Sequence, residues 1–312
     1  MKQFRDRTAV ITGAASGIGL ELARRAAAEG MNLVLADIEA AKLDAAAASL
    51  GIDAGRILAR RTDVSREDEI AALADAAFTR FGGVHLLCNN AGVGLTRVSW
   101  ELSTADWNWV LGVDLWSVIH GVQHFLPRML KQDEGGHVVN TSSVAGLLST
   151  PGMAAYNVAK HGVVTLSETL YGELLAAKAK VGVSLLCPAW VPTAIHESGR
   201  NRQERFGEAT PAEGLSATYE QRMASAVKSG RLTAADMASE VFAAVAEDRF
   251  YVIPHRKINN AIQLRMDDIM QLRNPTQLAS TASAIRPPSV RLARLRPPAL
   301  TPAPTLGQGQ PQ

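Results

Sequence analysis

Cysteine and long apolar runs are both scarce in this sequence of 312 residues. The two cysteines, Cys88 and Cys187, each lie inside an apolar run, which predicts two buried free thiols in a reducing compartment rather than a disulfide scaffold. No apolar stretch approaches the length of a membrane span, and the first one breaks at Gly13, which favours a strand over a signal peptide. We therefore expect a cytoplasmic protein with no membrane partner.

Excess charge and metal-ligand clusters are also lacking. The formal net charge is +2, so the molecule as a whole is not built to bind nucleic acid, and the seven scattered histidines offer no metal-ligand spacing. Basic charge collects in residues 269–312, which contain five arginines and no lysine or acidic residue. Because residues 275–312 hold eight of the 14 prolines, we predict a disordered tail that is solvated rather than bound to a polyanion.

The rest of the chain has the composition of a globular protein, with 47% hydrophobic and 20% charged residues. Short apolar runs alternate with helical stretches, which predicts an α/β domain over residues 1–274 with a parallel sheet. The helical stretches include residues 18–29 and 40–50, and three later ones open with a capping box, at Ser65 with Asp68, Ser103 with Asp106 and Thr233 with Asp236. The predicted strands are residues 8–12, 32–37, 57–61, 86–89, 137–142, 183–187 and 250–253.

Residues 194–230 interrupt this alternation with a charged segment that carries scattered apolar residues. An insertion after the sixth strand would lie over the carboxyl ends of the strands, where open α/β sheets bind ligands. We interpret the segment as a substrate lid, with an ordinary surface insertion as the alternative.

A glycine-rich turn between the first strand and the first helix predicts a dinucleotide site. Glycines at 13, 17 and 19 allow a tight turn, and the helix N-terminus then offers N–H groups to a pyrophosphate. Asp37 ends the second strand, where its carboxylate suits ribose hydroxyls and repels a 2′-phosphate. Neither Ser16 nor Ile38 supplies a cation for such a phosphate, so NAD is favoured over NADP. The alternative role for Asp37 is a helix N-cap.

Tyr156 and Lys160 are spaced four residues apart on a predicted helix, which places both side chains on one face. A free tyrosine has a pKa of about 10, and a nearby ammonium lowers the pKa by favouring the phenolate. That is the tuning a general acid or base needs near neutral pH. Taken alone, this spacing is a common accident on helix surfaces.

Further motifs, however, accompany Tyr156 and Lys160 in this sequence. Ser143 lies thirteen residues before Tyr156, and Asn89-Asn90-Ala91-Gly92 follows the fourth strand. Together with the glycine turn, this order of motifs resembles the short-chain dehydrogenase/reductase superfamily over about residues 8–253. The resemblance implies a Rossmann-like, doubly wound, seven-stranded parallel sheet with helices on both faces. Ser142 is the rival for the hydroxyl role, although the spacing favours Ser143.

The resemblance also implies a role for each matching residue. Tyr156 is the expected proton donor and acceptor, Ser143 holds the substrate oxygen, and Lys160 lowers the Tyr156 pKa and binds the nicotinamide ribose. Val144, Met153 and Trp190 are expected at the substrate, which their apolar side chains suggest is hydrophobic; Met153 and Trp190 are equally plausible as core. The expected cofactor contacts are Gly13, Ser16, Gly17, Ile18, Gly19, Asp37, Ile38, Asp63, Val64, Asn90, Ala91, Gly92, Tyr156, Lys160, Pro188, Val191 and Thr193.

Two positions depart from the family pattern. Asp114 stands where the family usually has a catalytic asparagine whose backbone carbonyl holds a water, so the backbone role survives while a carboxylate is added near Lys160. Ala189 replaces the usual glycine and should shape the nicotinamide side of the pocket. We expect an NAD(H)-dependent alcohol–ketone oxidoreductase that forms a homodimer or homotetramer. The alternatives are an NADPH-dependent carbonyl reductase and a non-catalytic dinucleotide-binding protein.

Overall fold

Seven strands form one parallel sheet in the computed structural model, which describes residues 1–209 and 211–276. The strand order is β3-β2-β1-β4-β5-β6-β7, so the chain starts in the middle and winds outward in both directions. This confirms the predicted seven-stranded, doubly wound parallel sheet. The strands are β1 (Thr8–Thr12), β2 (Asn32–Asp37), β3 (Ile57–Arg61), β4 (Leu86–Asn89), β5 (Gly136–Thr141), β6 (Val181–Leu186) and β7 (Tyr251–Val252).

The central strands carry apolar side chains on both faces of the sheet. Val10 packs into the core on one face of the sheet, whereas Ile11 packs into the core on the other face. Because successive strand residues point to opposite faces, a strand buried on both faces must be apolar at nearly every position. This explains why the central strands are continuous apolar runs rather than alternating ones.

Helices cover both faces of the sheet. Helices α1, α2 and α8 contribute Leu22, Leu43 and Phe242 to one core, and α3 and α5 contribute Leu73 and Phe125 to the other. The described helices are α1 (Gly17–Ala28), α2 (Ala40–Ser49), α3 (Glu67–Phe81), α4 (Thr104–Leu111), α5 (Ser117–Met129), α6 (Ala154–Ala176), α7 (Gly214–Lys228), α8 (Ala234–Glu247) and α9 (Asn259–Met270). None of those helices combines the length and apolarity needed to cross a bilayer.

Two of the three predicted capping boxes are present, at Ser103 with Asp106 and at Thr233 with Asp236. The third prediction is wrong, because α3 begins at Glu67 and its N-cap makes no side-chain hydrogen bond. The Ser65 hydroxyl instead donates to Asp63 at 2.6 Å. Asp63 also accepts the backbone N–H of Ser65 at 3.1 Å, which is the group that the Asp68 carboxylate would bind in a capping box, so Ser65 does not cap the helix.

The order of the strands reverses direction between β1 and β4, which creates a crevice at their carboxyl ends. Residues 194–230 follow β6 and contain the short helical turns Ala194–Asn201 and Glu204–Phe206 as well as α7. Of the predicted tail, only residues 275 and 276 belong to the described chain, so that prediction lies outside the described residues.

Candidate active site

A cleft of about 610 Å³ opens at the carboxyl ends of the central strands. One end, which we call the tyrosine end, carries Ser143, Tyr156 and Lys160; the other, the aspartate end, carries Asp37 and Asp63. The residues predicted for the cofactor and the substrate all line this one cleft. Asp114 is the exception among the predicted site residues, because it is fully buried behind the cleft wall.

The glycine turn between β1 and α1 is built so that a side chain has no room. Gly13 and Gly17 have φ values of +68° and +55°, and a Cβ on Gly13 would lie 2.9 Å from the Cα of Ala91. A Cβ on Gly19 would overlap the carbonyl oxygen of Gly13. The backbone therefore lines the cleft directly, and α1 begins there with first-turn N–H groups suited to an anion. These features fit a dinucleotide pyrophosphate.

Thr12 joins the glycine turn to the neighbouring strand end. Its hydroxyl oxygen accepts hydrogen bonds from the backbone N–H groups of Asn90 and Ala91, at 2.9 and 3.0 Å. In return the Asn90 side-chain amide donates to the Thr12 carbonyl oxygen at 3.0 Å. The Asn90-Ala91-Gly92 segment is thereby held against β1, and it lines the cleft midway between the two ends.

Asp37 is anchored at the aspartate end by two backbone hydrogen bonds. One carboxylate oxygen accepts the N–H of Ala15 and the other accepts the N–H of Glu39, both at 3.0 Å. The N-cap of α2 is Glu39, so the alternative role of Asp37 as that N-cap is not what the structure has. A carboxylate accepts about four hydrogen bonds, which leaves Asp37 acceptor capacity for ribose hydroxyls.

Arginines from the segment after β6 reach across to the aspartate end, which sequence reasoning missed. The Arg200 guanidinium lies 3.1 Å from a carboxylate oxygen of Glu39, a residue 161 positions away, and Arg205 lies 2.8 Å from Asp63. We call these two ion pairs the clasp. The only sequence signal was the unusual charge of this segment, which does not reveal the partners.

The clasp alters the acidity of both carboxyl groups. Burial by itself raises the pKa of Asp63, but hydrogen bonds from Ser65 and Arg205 outweigh it and hold that pKa below its usual value. Glu39 behaves in the same way, because bonds from Lys42, Asn201 and Arg200 outweigh its burial and lower its pKa. Both acids are therefore charged at neutral pH.

Tyr156 and Lys160 meet at the tyrosine end one turn apart on α6, as predicted. The Lys160 ammonium lies 5.5 Å from the centre of the Tyr156 ring and donates a hydrogen bond to the Thr141 carbonyl oxygen at 3.2 Å. The Ser143 hydroxyl donates a hydrogen bond to the Pro188 carbonyl oxygen at 3.3 Å and lowers the pKa of Tyr156. The rival Ser142 points elsewhere, because its hydroxyl donates to the Lys160 carbonyl oxygen at 2.8 Å.

The pKa of Tyr156 is raised, whereas the sequence predicted that the neighbouring Lys160 would lower it. Burial raises the pKa of Tyr156 and a negative charge on Asp114 raises it further, whereas Lys160 and Ser143 lower it. The sum is a raised pKa, although Lys160 acts in the predicted direction. The spacing of tyrosine and lysine does not reveal how completely the ring is buried.

Apolar side chains form the walls beyond Tyr156. Met153 is buried against Ala145 and Tyr156, and Ile195 and Met223 pack against the same cluster. Trp190 lines the cleft and is 38% exposed, so it is not part of the core. Ile195 and Met223 belong to residues 194–230, the segment that the sequence predicted as a substrate lid, although the sequence did not single out these two side chains. No group of potential metal ligands is found in the parts of the chain that the structure describes.

A family model described as short chain dehydrogenase matches residues 7–204 of this chain. The chain belongs to the short-chain dehydrogenase/reductase family. A solved short-chain dehydrogenase/reductase from Burkholderia phymatum in complex with NAD superposes with a TM-score of 0.88 at 47% identity, covering 90% of this chain and 100% of that one.

Two curated relatives of this short-chain dehydrogenase/reductase cover most of its length. A CLA biosynthesis dehydrogenase/reductase from Lactiplantibacillus plantarum is 31% identical over 272 residues, which is 86% of this chain and 95% of the relative. A 1-deoxy-11-beta-hydroxypentalenate dehydrogenase from Streptomyces arenae is 32% identical over 271 residues, or 85% and 88% of the two chains. The protein is therefore an oxidoreductase of this family that acts on hydroxyl groups.

Ala189, the second departure from the family pattern, lies in the cleft wall of this short-chain dehydrogenase/reductase. Its backbone N–H donates to the Nδ1 atom of His255 at 3.1 Å, which ties the segment after β6 to the chain beyond β7. Burial lowers the pKa of His255, so the imidazole is neutral and able to accept at that nitrogen. The added methyl group is accommodated without loss of this contact.

Proposed function

We propose that this enzyme interconverts an alcohol and a ketone or aldehyde with NAD(H), using Tyr156 as the general acid and base. One observation carries the proposal. A phenol, a serine hydroxyl and a lysine ammonium converge at one end of a cleft, and a glycine turn and an unneutralised Asp37 lie at the other. Position and proton control are what a protein must add to a nicotinamide cofactor.

NAD rather than NADP is favoured by the charges at the aspartate end. Asp37 and Glu39 are two carboxylates at the end of the cleft where we propose the adenosine ribose binds, and Arg200, which lines the cleft beside them, is engaged by Glu39. A 2′-phosphate there would be repelled by the carboxylates and would have to compete with Glu39 for Arg200. The NAD bound to the Burkholderia phymatum relative supports the same preference.

The proton chemistry follows from the side chains at the tyrosine end. In the oxidation direction Ser143 holds the substrate hydroxyl, Tyr156 takes its proton, and the charge of Lys160 stabilises the phenolate that Tyr156 needs. In reduction Tyr156 returns the proton to the carbonyl oxygen. A bound nicotinamide supplies the acceptor or donor of the hydride. Because Tyr156 and Lys160 are more than nine-tenths buried, water competes poorly with the substrate for these groups.

The substrate is proposed to be hydrophobic. Val144, Met153, Ile195 and Met223 provide apolar walls near Tyr156, and Trp190 adds a partly exposed ring at the edge. Burial of apolar substrate surface against such walls contributes about 25 cal/mol of favourable free energy per Å². A chain of two or more apolar carbons on one side of the carbinol should therefore bind better than a short polar alcohol.

Residues 194–230 are proposed to act as the lid of this site. They line the cleft at both ends, with Ile195 and Met223 near Tyr156 and Arg200 near Asp37. Bound dinucleotide and substrate would have to leave past this segment. Loops that exclude water and gate release are common in enzymes with this type of cleft.

We further propose a homo-oligomer that pairs through α5 and α6 and a cytoplasmic location. Trp116, Val158, Tyr171 and Leu175 are exposed apolar side chains on these helices or at the turn before α5. Pairing would cover them, and light scattering of the purified protein measures the mass that tests it. The two cysteines are buried and unpaired, which suits a reducing compartment.

The decisive experiment measures initial rates at the NADH absorbance for secondary alcohols and ketones of increasing chain length. Each substrate is tested with NAD(H) and with NADP(H). We expect NAD(H) to be preferred and kcat/KM to rise with apolar chain length. Equal or greater activity with NADPH would establish the carbonyl reductase alternative. NADH binding in calorimetry without activity on any substrate would favour the non-catalytic alternative.

A further inference from the structure

One of the two positions at which this chain departs from the family pattern lies directly behind the tyrosine end of the cleft. Asp114 sits in a π-helical turn, Gly112–Trp116, between α4 and α5, and it is completely buried. One carboxylate oxygen accepts the backbone N–H of Val93 at 2.7 Å. The other lies 3.4 Å from the Lys160 ammonium. The first contact anchors the carboxylate, and in this orientation its second oxygen faces the lysine.

Lys160 is therefore approached from two sides. Its ammonium has the Asp114 carboxylate behind it and the Tyr156 ring in front, and the Thr141 carbonyl oxygen accepts its hydrogen bond. A Cβ at Gly92 would lie 3.4 Å from the ammonium, so the glycine leaves this face open. With both side chains buried, the attraction between ammonium and carboxylate is weakly screened.

We propose that Asp114 is a positioning residue whose carboxylate fixes the Lys160 ammonium from behind and thereby sets the acidity of the Tyr156 phenol. One cation is shared by two acids, so each negative charge disfavours the other. The asparagine usual in the family would keep the oxygen that binds Val93 but would turn an amide, not a carboxylate oxygen, toward Lys160. Asp114→Asn therefore removes the negative charge of the side chain while it keeps the shape of the side chain.

The surrounding charges support this assignment. Burial lowers the pKa of Lys160, but Asp114 and Tyr156 together raise it above its usual value, so the amine stays protonated. Burial raises the pKa of Asp114, while Lys160 and the Val93 N–H group act against that rise. Among the described residues, Cys187 also acts on Tyr156 and Lys160, but burial raises the pKa of its thiol to about 12, so the thiol is neutral.

The charge on Asp114 determines in which direction the pKa of Tyr156 changes when Asp114 is replaced. Asp114→Asn removes a negative charge that opposes formation of the phenolate, so the pKa of Tyr156 should fall. The role of Asp114 in oxidation rests on the function proposed above, because it acts through Tyr156. The acidity of the phenol, however, is measurable in the cofactor-free protein without any substrate. Failure of the proposed function and failure of this inference are therefore distinguishable.

The test is an ultraviolet difference titration of tyrosinate formation in wild type and Asp114→Asn, each with Tyr156→Phe as its own blank. The blank isolates Tyr156 from the other three tyrosines. We expect the Tyr156 midpoint to lie at lower pH in Asp114→Asn than in wild type. If a substrate is in hand, the acid limb of kcat/KM for oxidation should move to lower pH in parallel, and the rate at neutral pH should rise several-fold.

Two further variants test whether a shift of the Tyr156 midpoint is due to the Asp114 carboxylate. Ser117→Ala perturbs the same turn without touching Lys160, because the Ser117 hydroxyl donates to the Val113 carbonyl oxygen; its Tyr156 midpoint should equal that of wild type. Asp114→Ala removes charge and shape together and should shift the midpoint in the same direction as Asp114→Asn. An unchanged or raised midpoint in both Asp114 variants, or an equal shift in Ser117→Ala, would overturn the proposal.

Discussion

Charged groups at the two ends of the cleft are held in different ways. At the tyrosine end, the Asp114 carboxylate is completely buried and the Lys160 ammonium is nearly so. At the aspartate end, Glu39 and Arg200 are partly exposed and their ion pair spans two distant segments of the chain. Buried pairs are costly to break, whereas exposed pairs contribute little and weaken with salt. We therefore expect the tyrosine end to keep its geometry and the aspartate end to open more readily.

The largest expected effect comes from a change at the tyrosine end. Tyr156→Phe should lower kcat by a factor of roughly 10²–10⁴, the usual contribution of a general acid or base, because the ring remains while its proton is lost. NADH affinity, measured by fluorescence titration, should change little. Tyr171→Phe on the same helix is the matched control and should keep wild-type turnover, since Tyr171 lies far along α6, does not line the cleft and keeps its ring in the variant. Near-normal turnover in Tyr156→Phe would remove the catalytic assignment.

A second change tests selectivity at the aspartate end. Asp37→Ser removes a carboxylate that we propose binds ribose hydroxyls, and hydrogen bonds to a charged group contribute about 1.5–3 kcal/mol. The ratio of kcat/KM for NAD to that for NADP should therefore fall by about 10- to 100-fold. Asp44→Ser, an exposed aspartate on α2, serves as the control. A ratio that stays at its wild-type value would show that Asp37 does not select the cofactor.

The clasp should give a smaller effect that is confined to cofactor exchange. Arg200→Ala and Arg205→Ala each remove one ion pair, and such pairs contribute about 0.2–1 kcal/mol when exposed. We expect NADH to dissociate about two- to fivefold faster in stopped-flow experiments, with the difference shrinking as salt is added. Arg222→Ala, an exposed arginine on α7, should dissociate NADH like wild type.

A clasp variant with unchanged dissociation but reduced kcat would contradict the division of labour between the two ends. It would mean that the segment after β6 acts on the chemistry rather than on the exchange of cofactor. The Asp63 partner of Arg205 is buried, so Arg205→Ala should exceed Arg200→Ala in effect.

The smallest effect comes from a site outside both ends. Thr233→Ala removes the capping box that opens α8, which should lower the free energy of unfolding by about 1 kcal/mol. Thermal melting should detect this loss, while kcat and NADH dissociation stay at wild-type values. If this variant also changed NADH dissociation, the clasp experiments would be reporting general loosening rather than a local contact.

Local patterns predicted a large part of this structure. Strands β1 to β4 match their predicted bounds because continuous apolar runs flanked by turn residues carry the information within a few positions. The glycine turn was predictable from its place between a strand and a helix, although the atoms that leave no room for a side chain at Gly13 belong to the distant residue Ala91. The later strands are offset by one or two residues, because apolar runs do not mark where pairing with a neighbour stops.

Contacts between distant segments were not predictable in this way. Arg200 and Glu39 are 161 residues apart, and each alone looks like an ordinary surface charge. Ser65 and Asp68 had the pattern of a capping box, yet a buried Asp63 took the Ser65 hydroxyl. The direction of the Tyr156 pKa also depends on burial by residues from several elements.

The amino-acid sequence by itself determined which residues we propose for the chemistry: a phenol with an amine one turn away, a serine thirteen positions earlier, and a glycine turn followed by an acid. Those features are local, and backbone geometry translates them directly into structure. Only the tertiary structure decided how those groups are charged and covered. Burial and long-range ion pairs set acidity and access, and both arise when segments far apart in the chain pack together.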